Sequence, residues 1–454
     1  MKHDSNEHKV IDSSLKSILS VTAPMVLTAM SSNFMFVIDR IMLAGYSIDS
    51  MNASIISANL VGIFTFMLIG IADSAEVFVG QYNGSKQYEK LAAPAWQMIY
   101  MSLASCVILW PMAYFSDYVN TLPHYYLKDG VEFQRILLYF AFLPPLKVAF
   151  AAFFIGQGKP KIVTFSIITG AIINVVLCYS FIYGIKNTIP SMGCKGAAIA
   201  NVISEFISIV ILAAVFFNCK NRKIYKTFKN CKFNKGLFFG CARIGVPVSF
   251  GNFISMIAWY IVQTLISHAS KDAATIYNVG INVYIFFIFV GEGINKAVAT
   301  ICANMIGRGD LSSIEKTRKI FVAIAVFFGV VVSIPLIGFP QWIIQMLNIL
   351  PDNLSALYSD IKIVLFIVAV NVVLETLMFS TWGILIAGGD SRHATITYQS
   401  CLWTTAIFPV IILHYLGKLT SVPFVYMFMG IWLLSTQFFL YKRYKSMKWY
   451  NKLV

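Results

Sequence analysis

Ionisable side chains are scarce in this sequence and stand in unusual places. The stretch NFMFVIDRIMLAGY (33–46) sets Asp39 beside Arg40 in the middle of a long apolar run. Glu205, Glu292, Lys147, Lys296 and Glu375 also fall inside apolar runs, and Asp73 and Glu76 sit near the end of one. An ionised side chain in hydrocarbon costs at least about 2.5–3.5 kcal/mol on insertion scales, so each needs a task or a partner. Neighbours i and i+1 on a helix point about 100° apart, so Asp39 and Arg40 do not pair face to face. A buried carboxyl is poised between desolvation and nearby cations, and such a group can exchange a proton or take Na⁺. Asp39 therefore reads as a coupling acid. Arg40 reads as structural, finding another partner or snorkelling outward.

The other groups divide in the same way. Lys296 follows Glu292 by four residues, a spacing that suits an ion pair on one helix face. The pair reads as structural, with a coupling role as the alternative. Asp73 and Glu76 lie three apart and read as a solvated rim or, alternatively, a cation site. Glu205 stays open between the two roles. Glu375 reads as a functional acid, or else as an anchor for Lys147 or Lys296. Trp259, Tyr284, Phe287 and Trp382 could stack on an organic cation, with packing against core or lipid as the alternative for each. The six histidines lie in loops or at the ends of apolar runs, so no imidazole relay is visible. The eight cysteines are scattered and form no CxxC pair, which points to no metal or disulfide framework. The sequence shows no phosphate-binding Gly-rich loop and no nucleophile–base constellation. An enzyme, a pump ATPase and a resident cofactor are thus not expected.

These residues have to be positioned by membrane helices. Of 454 residues 58% are hydrophobic and 12% charged, with mean hydropathy +0.73; a soluble domain is nearer a quarter charged. Runs of roughly 20 apolar residues recur, each long enough to cross about 30 Å of hydrocarbon. They lack the alternation of outer-membrane barrels, so helices are expected. Twelve spans are predicted at 16–43, 52–78, 91–115, 133–156, 162–184, 196–218, 244–268, 274–302, 320–347, 361–387, 395–416 and 423–441. No removable signal peptide is expected at the start; the first span would direct insertion. An even count puts both termini on one side. Of the 35 Lys and Arg, 25 fall on that side, 5 on the other and 5 within spans or at their ends. That asymmetry predicts both termini in the cytoplasm. It also accounts for the net charge of +15, since basic loops face an anionic leaflet. No basic loop interleaves aromatics in a recognisable module, so nucleic acid is not an expected partner.

The longest basic loop, 219–243, bisects the chain, and the two halves repeat. Pro24 opens the first span and Gln81–Gly84 closes the second; Pro247 and Asn304–Gly307 do the same in the second half. The offset is 223, and it also matches Gly70 to Gly293 and Gly84 to Gly307. FIGQGKPK (154–161) and LIAGGDSR (385–392) form a second pair. Each half holds six spans, so the halves share one orientation and should be related by an axis along the membrane normal. The predicted division is a tail at 1–15, an N-lobe at 16–218, a linker at 219–243, a C-lobe at 244–441 and a tail at 442–454.

Together, VIDRIMLAGYSIDSMNAS after a proline in span one, VGQYNGSK, FIGQGKPK, IINVVLCYSFIYG, PSMGCKGAAIANVIS and RIGVPVSFGNF resemble the MATE (multidrug and toxic compound extrusion) family, especially its bacterial NorM-type branch. The resemblance covers nearly the whole chain and rests on order and spacing. It implies an all-α, V-shaped carrier of twelve helices in two pseudo-symmetric lobes. Such carriers export organic cations in exchange for Na⁺ or H⁺. By the same resemblance Asp39 occupies the span-one acid position and Asn174 the span-five asparagine. Cys178 stands where the family holds Asp or Asn. Glu375 matches the span-ten acid, and Asn371 stands where NorM-type members hold Tyr. Ser255 replaces their span-seven acid, which leaves the C-lobe cation cage incomplete. Cys178 is a poor ligand for a hard cation, so H⁺ is favoured over Na⁺ as the coupling ion.

The expected function is therefore an antiporter, a monomer in a bacterial cytoplasmic membrane, exporting cationic, amphipathic small molecules by alternating access. The alternatives are a lipid-linked saccharide flippase of the related superfamily, for which Lys147, Lys296 and Arg40 could line a basic cavity, and a non-transporting membrane scaffold. The sign of the mid-membrane cavity separates the first two.

Overall fold

A computed structural model describes residues 12–118, 127–186, 188–342, 354–417, 421–450 and 453. The described residues form helices throughout, with one isolated β-bridge, Ile185–Ile189. Twelve long helices follow the predicted spans. In the N-terminal half they are α1 (Leu15–Tyr46), α2 (Ile48–Gly84), α3 (Tyr88–Tyr114), α4 (Asp129–Gly156), α5 (Pro160–Tyr183) and α6 (Gly193–Phe216). In the C-terminal half they are α7 (Lys235–Ala269), α8 (Lys271–Arg308), α9 (Ser312–Gly338), α10 (Leu354–Ala387), α11 (Ser391–Tyr415) and α12 (Pro423–Lys445). Eleven of them are long and apolar enough to cross a membrane, and α1 adds a shorter apolar stretch, Leu15–Ser31.

Local chemistry sets the helix ends. The Ser14 hydroxyl accepts from the Ser17 N–H at 3.2 Å and starts α1. Ser47 closes α1 with its N–H and opens α2 with its hydroxyl. Asn234 caps α7 and Ser270 caps α8 by the same side-chain device. Gly309, at φ +76°, ends α8 in the left-handed conformation that favours glycine. Helix α2 is not continuous. It breaks at Ser74, between Asp73 and Ala75. Helix α11 widens into a π-helical turn at Leu402–Ile407. Pro409 lacks the N–H that would bond the Thr405 carbonyl, and such turns occur where a helix is distorted near functional groups.

Packing repeats between the halves. Helix α5 lies against α1 and α6, α2 against α4, and α3 against α4; α11 lies against α7 and α12, α8 against α10, and α9 against α10. The halves meet through α1–α8, α2–α7 and α2–α8. A Cβ on Gly84 would stand 1.9 Å from the Asn304 carbonyl oxygen, and one on Gly307 would stand 2.1 Å from that of Gln81. A Cβ on Gly70 would meet Ser249, and one on Gly293 would meet Val26. Both pairs of contacts are related by the offset of 223. Residues equivalent in sequence therefore face each other across a pseudo-two-fold axis between α2 and α8. The apolar core runs continuously from the N-terminal half through this contact into the C-terminal half. The face of the molecule with the α2–α8 crossing also carries both ends of the described chain. There Leu453 donates its N–H to Gln81 Oε1 at 2.8 Å, and Trp449 is buried against Gly388.

Candidate functional site

The first site is in the N-terminal half, between α1, α5 and α6. Asp39 is 6% exposed although it lies in an apolar helix. The Cys178 thiol on α5 donates to its Oδ1 at 3.2 Å, and the Asn201 side chain on α6 stands beside it. Its Oδ2 has no hydrogen-bond partner among the described residues. One turn before Cys178, Asn174 donates Nδ2–H to Asn201 Oδ1 at 2.8 Å, while its own Oδ1 is buried without a partner. The pocket thus holds two unsatisfied buried oxygens, and buried polar oxygens rarely go without a donor or cation. Arg40 points to the exposed side of α1, as the 100° step requires. Asp39, Asn174 and Cys178 are thus brought together. Asn201 was not singled out by sequence reasoning, although it lies four residues before Glu205 in a stretch of small residues.

The second site is in the C-terminal half. Glu375 on α10 is 4% exposed and accepts a hydrogen bond from the Tyr284 hydroxyl on α8. Asn371, one turn earlier, does not join it: its Nδ2–H donates to the Tyr426 carbonyl at 2.9 Å, and its Oδ1 faces Gly430. Ser255 accepts from Gln399 Nε2 at 2.6 Å. Trp382 packs edge-on to Tyr398 at 5.3 Å, Tyr398 to Trp432 at 5.0 Å, and Trp432 to Trp259 at 5.7 Å. Tyr398 and Gln399 escaped sequence reasoning. A Tyr–Gln pair in the predicted span 395–416 was the available signal.

The packing overturns some of these expectations and resolves others. Lys296 pairs with Asp73 across the two halves, Nζ to Oδ2 at 2.9 Å, and not with Glu292 on its own helix. The i,i+4 rule sees one helix, whereas the break at Ser74 brings the end of α2 against α8. Glu76 is no solvated rim: it is 5% exposed and accepts from the Thr300 hydroxyl. Glu205 takes Lys147, Oε2 to Nζ at 2.7 Å, so neither lysine is anchored by Glu375. Of the aromatic candidates, Tyr284 and Trp382 are buried and Trp259 is half-buried in the cluster around Tyr398 and Trp432. Phe287 lies apart, against Phe328 and Phe286. Among the described residues no group of three or more His, Cys, Asp and Glu side chains could hold a metal ion.

Both lobes carry the same fold signature. The sequence profile of the MatE family matches residues 24–180 and again 247–413, two copies whose first residues are 223 apart. The chain is 24% identical to a probable multidrug resistance protein NorM of Thermotoga maritima, over 72% of this chain and 70% of that one. It is 23% identical to the probable multidrug resistance protein YoeA of Bacillus subtilis, over 75% and 71%. Among solved structures, an outward-facing multidrug resistance MATE transporter superposes with TM-score 0.85 at 17% identity, covering 96% of this chain and 97% of that one. A Pyrococcus furiosus transporter of the MOP superfamily, described as having a binding pocket of reversed polarity, gives 0.84 at 17% identity, covering 96% of each chain. Two family copies, twelve helices in one architecture and relatives spanning most of the chain lead to one conclusion. The chain belongs to the MatE (multidrug and toxic compound extrusion) family and is a multi-pass membrane transporter.

Proposed function

We propose that this transporter is a secondary antiporter that exports amphipathic organic cations in exchange for protons. The observation that carries the reading is Asp39: one buried carboxylate with an unpartnered oxygen, a thiol on the other and asparagine amides around it. A proton needs one carboxylate. Na⁺ favours a cage of several oxygens, and a cysteine thiol is a poor member of one. Asn174 Oδ1 is the second free oxygen, so Na⁺ is the competing ion. Glu375, held by Tyr284, would be the acid of the other lobe, with Ser255 beside Gln399 giving no second carboxylate.

Transport would proceed by alternating access. The hydrogen bonds that join the two halves (Asp73–Lys296, Glu76–Thr300, Asn83–Asn304 and Gln81–Ala387) gather towards the face that carries the chain ends. That face is closed, so the cleft between the lobes opens to the other. The charge asymmetry of the loops makes the closed face cytoplasmic, in a bacterial inner membrane. Proton binding at Asp39 can shift the balance only by as much as its affinity differs between the two states. A lipid-linked saccharide flippase would want free bases for phosphate, and Lys147 and Lys296 are both taken by carboxylates.

The test is efflux of a cationic dye from proteoliposomes under separately imposed pH and Na⁺ gradients. A pH gradient alone should drive it, and Asp39→Asn should abolish it in protein that remains folded. Efflux that needs Na⁺ at constant pH would reverse the choice of ion.

A further inference from the structure

Among the described residues one ion pair joins the two halves, and it has an uncommon property: its members are each other's repeat equivalents. Asp73 on α2 and Lys296 on α8 are 223 residues apart, and they bond across the pseudo-two-fold axis. A symmetric dimer places identical residues opposite each other at its axis, and two like charges there would repel. Here the duplicated position carries opposite charges, so the axis is bridged. The two helices also share a stripe leading to this pair. Asn59 and Phe66 on α2 correspond at the same offset to Asn282 and Phe289 on α8, all exposed or half-exposed in the middle of their helices. One turn before the pair, Ile69 corresponds to Glu292, which is exposed. On the alternating-access reading, this stripe is the wall of the cleft between the lobes and the ion pair its floor. Beyond the floor the helices close up at Gly80, where a Cβ would be 2.8 Å from that of Ala303.

Lys296 therefore has two acids in reach of different geometries. Asp73 belongs to the other lobe. Glu292 lies four residues back on the same helix, at the spacing where side chains meet on one face. When the lobes part at the floor, Asp73 is carried away with α2 and Glu292 stays. We propose that Lys296 is a two-position clasp: bonded to Asp73 it holds the chain-end face shut, and swung onto Glu292 it keeps a partner while that face opens. The second partner removes the cost of leaving an ammonium stranded in a membrane-level cleft. Glu76, bonded to Thr300 below the floor, adds a second latch that parts together with the clasp. The inference rests on the alternating-access reading and specifies what the two states exchange.

The experiment is double electron–electron resonance on the full chain in lipid nanodiscs. Spin labels at Lys86→Cys and Lys316→Cys report the separation of α2 and α9 at the chain-end face, with Cys106, Cys219 and Cys231 replaced by serine. Asp73→Asn and Lys296→Gln should each raise the population with separated labels roughly fivefold, the low end of coupling between sites because the pair is half-exposed. The charge swap Asp73→Lys with Lys296→Asp should bring the distribution back to that of wild type, which a merely structural lesion would not do. Glu292→Gln added to Asp73→Asn should lower the separated population again, because the open position loses its counter-charge. A swap that stays as shifted as the single variants overturns the clasp. Glu292→Gln without effect on Asp73→Asn overturns the second position. If wild type shows one distance at every pH and Na⁺ concentration and with cationic dye, the alternating-access reading itself fails, whereas two distances that Asp73→Asn does not rebalance sink the clasp alone.

Discussion

Substituting Gly84 by Ala puts one methyl group where the two halves come closest. The new Cβ would be 1.9 Å from the Asn304 carbonyl oxygen and 2.8 Å from its carbon. Carbon and oxygen tolerate about 3.3 Å, so α2 and α8 must separate by more than ~1 Å at this point. Both obstructing atoms are backbone, so no rotamer change relieves the clash. Overpacking of this kind costs about 1–3 kcal/mol. The separation also stretches Asn83–Asn304 at 2.7 Å and the Asn304 bond to the Gly156 carbonyl at 2.8 Å, at about 0.5–1.5 kcal/mol each. After relaxation a net penalty of about 2 kcal/mol falls on the closed crossing, which corresponds to roughly thirtyfold in an equilibrium constant. A state open at this face and populated at about 1% would rise to about a quarter. Hydrogen-exchange mass spectrometry should show the amides of 75–84 and 296–308 exchanging faster, with a lowered thermal midpoint. Gly338→Ala is the control: a Cβ there meets nothing within 4 Å. If Gly84→Ala exchanges like wild type and like Gly338→Ala, the crossing is not the closed gate described here.

Lys147→Met should destabilise the protein by about 2–4 kcal/mol, since Glu205 keeps one oxygen that already lacks a partner and loses the other. Adding Glu205→Gln should recover most of the thermal midpoint, and a double variant no better than the single one would show that the pair is not the cause. Cys219 is exposed at the start of the basic linker; an impermeant maleimide should label it only after cells are permeabilised, and Cys219→Ser should remove most of that labelling. Tyr284→Phe takes away the hydroxyl that Glu375 accepts from and should slow dye efflux severalfold. In Glu375→Gln, which should itself keep part of the activity, the same change should add nothing, and additive losses would separate the two roles.

Much of this molecule could be read before any coordinates. Span length and hydropathy determine twelve helices because backbone groups in lipid must be satisfied within each segment. Ends were less legible. The predicted eighth span, 274–302, is a helix from Lys271 to Arg308, because Ser270 and Gly309 cap it beyond the hydrocarbon. The predicted ninth span, 320–347, starts earlier, at Ser312, and the described helix stops at Gly338; 343–347 lie outside the described residues. Asp39, Asn174 and Cys178 do meet, and their sequence signal was charge and polarity where neither is cheap. Glu205 with Lys147, and Asp73 with Lys296, were missed as pairs. Helical periodicity states which residues share a face, and it is silent about which helix lies opposite. The offset of 223 held half of that information. It named equivalent residues, and only the packing shows which of them are near enough to the axis to touch.

The same offset explains why the two lobes divide their chemistry. Applied to Asp39 it gives Val262 on α7, which is buried and apolar. By α10 the offset has grown to 231, as FIGQGKPK (154–161) and LIAGGDSR (385–392) show, and applied backwards to Glu375 it gives Pro144 on α4, which carries no acid either. Asp39 in one lobe and Glu375 in the other thus stand on different helices, while the glycines that let the lobes touch are kept in both. Close packing at an axis constrains both copies at once, because a Cβ on either Gly84 or Gly307 meets backbone of the opposite half. A carboxylate inside one lobe has no such reciprocal neighbour and is free to be lost from the other. The scaffold should therefore stay symmetric where the halves meet and diverge where ions and cargo are handled. Asp73 and Lys296 fit both demands, since they lie at the axis and differ in charge.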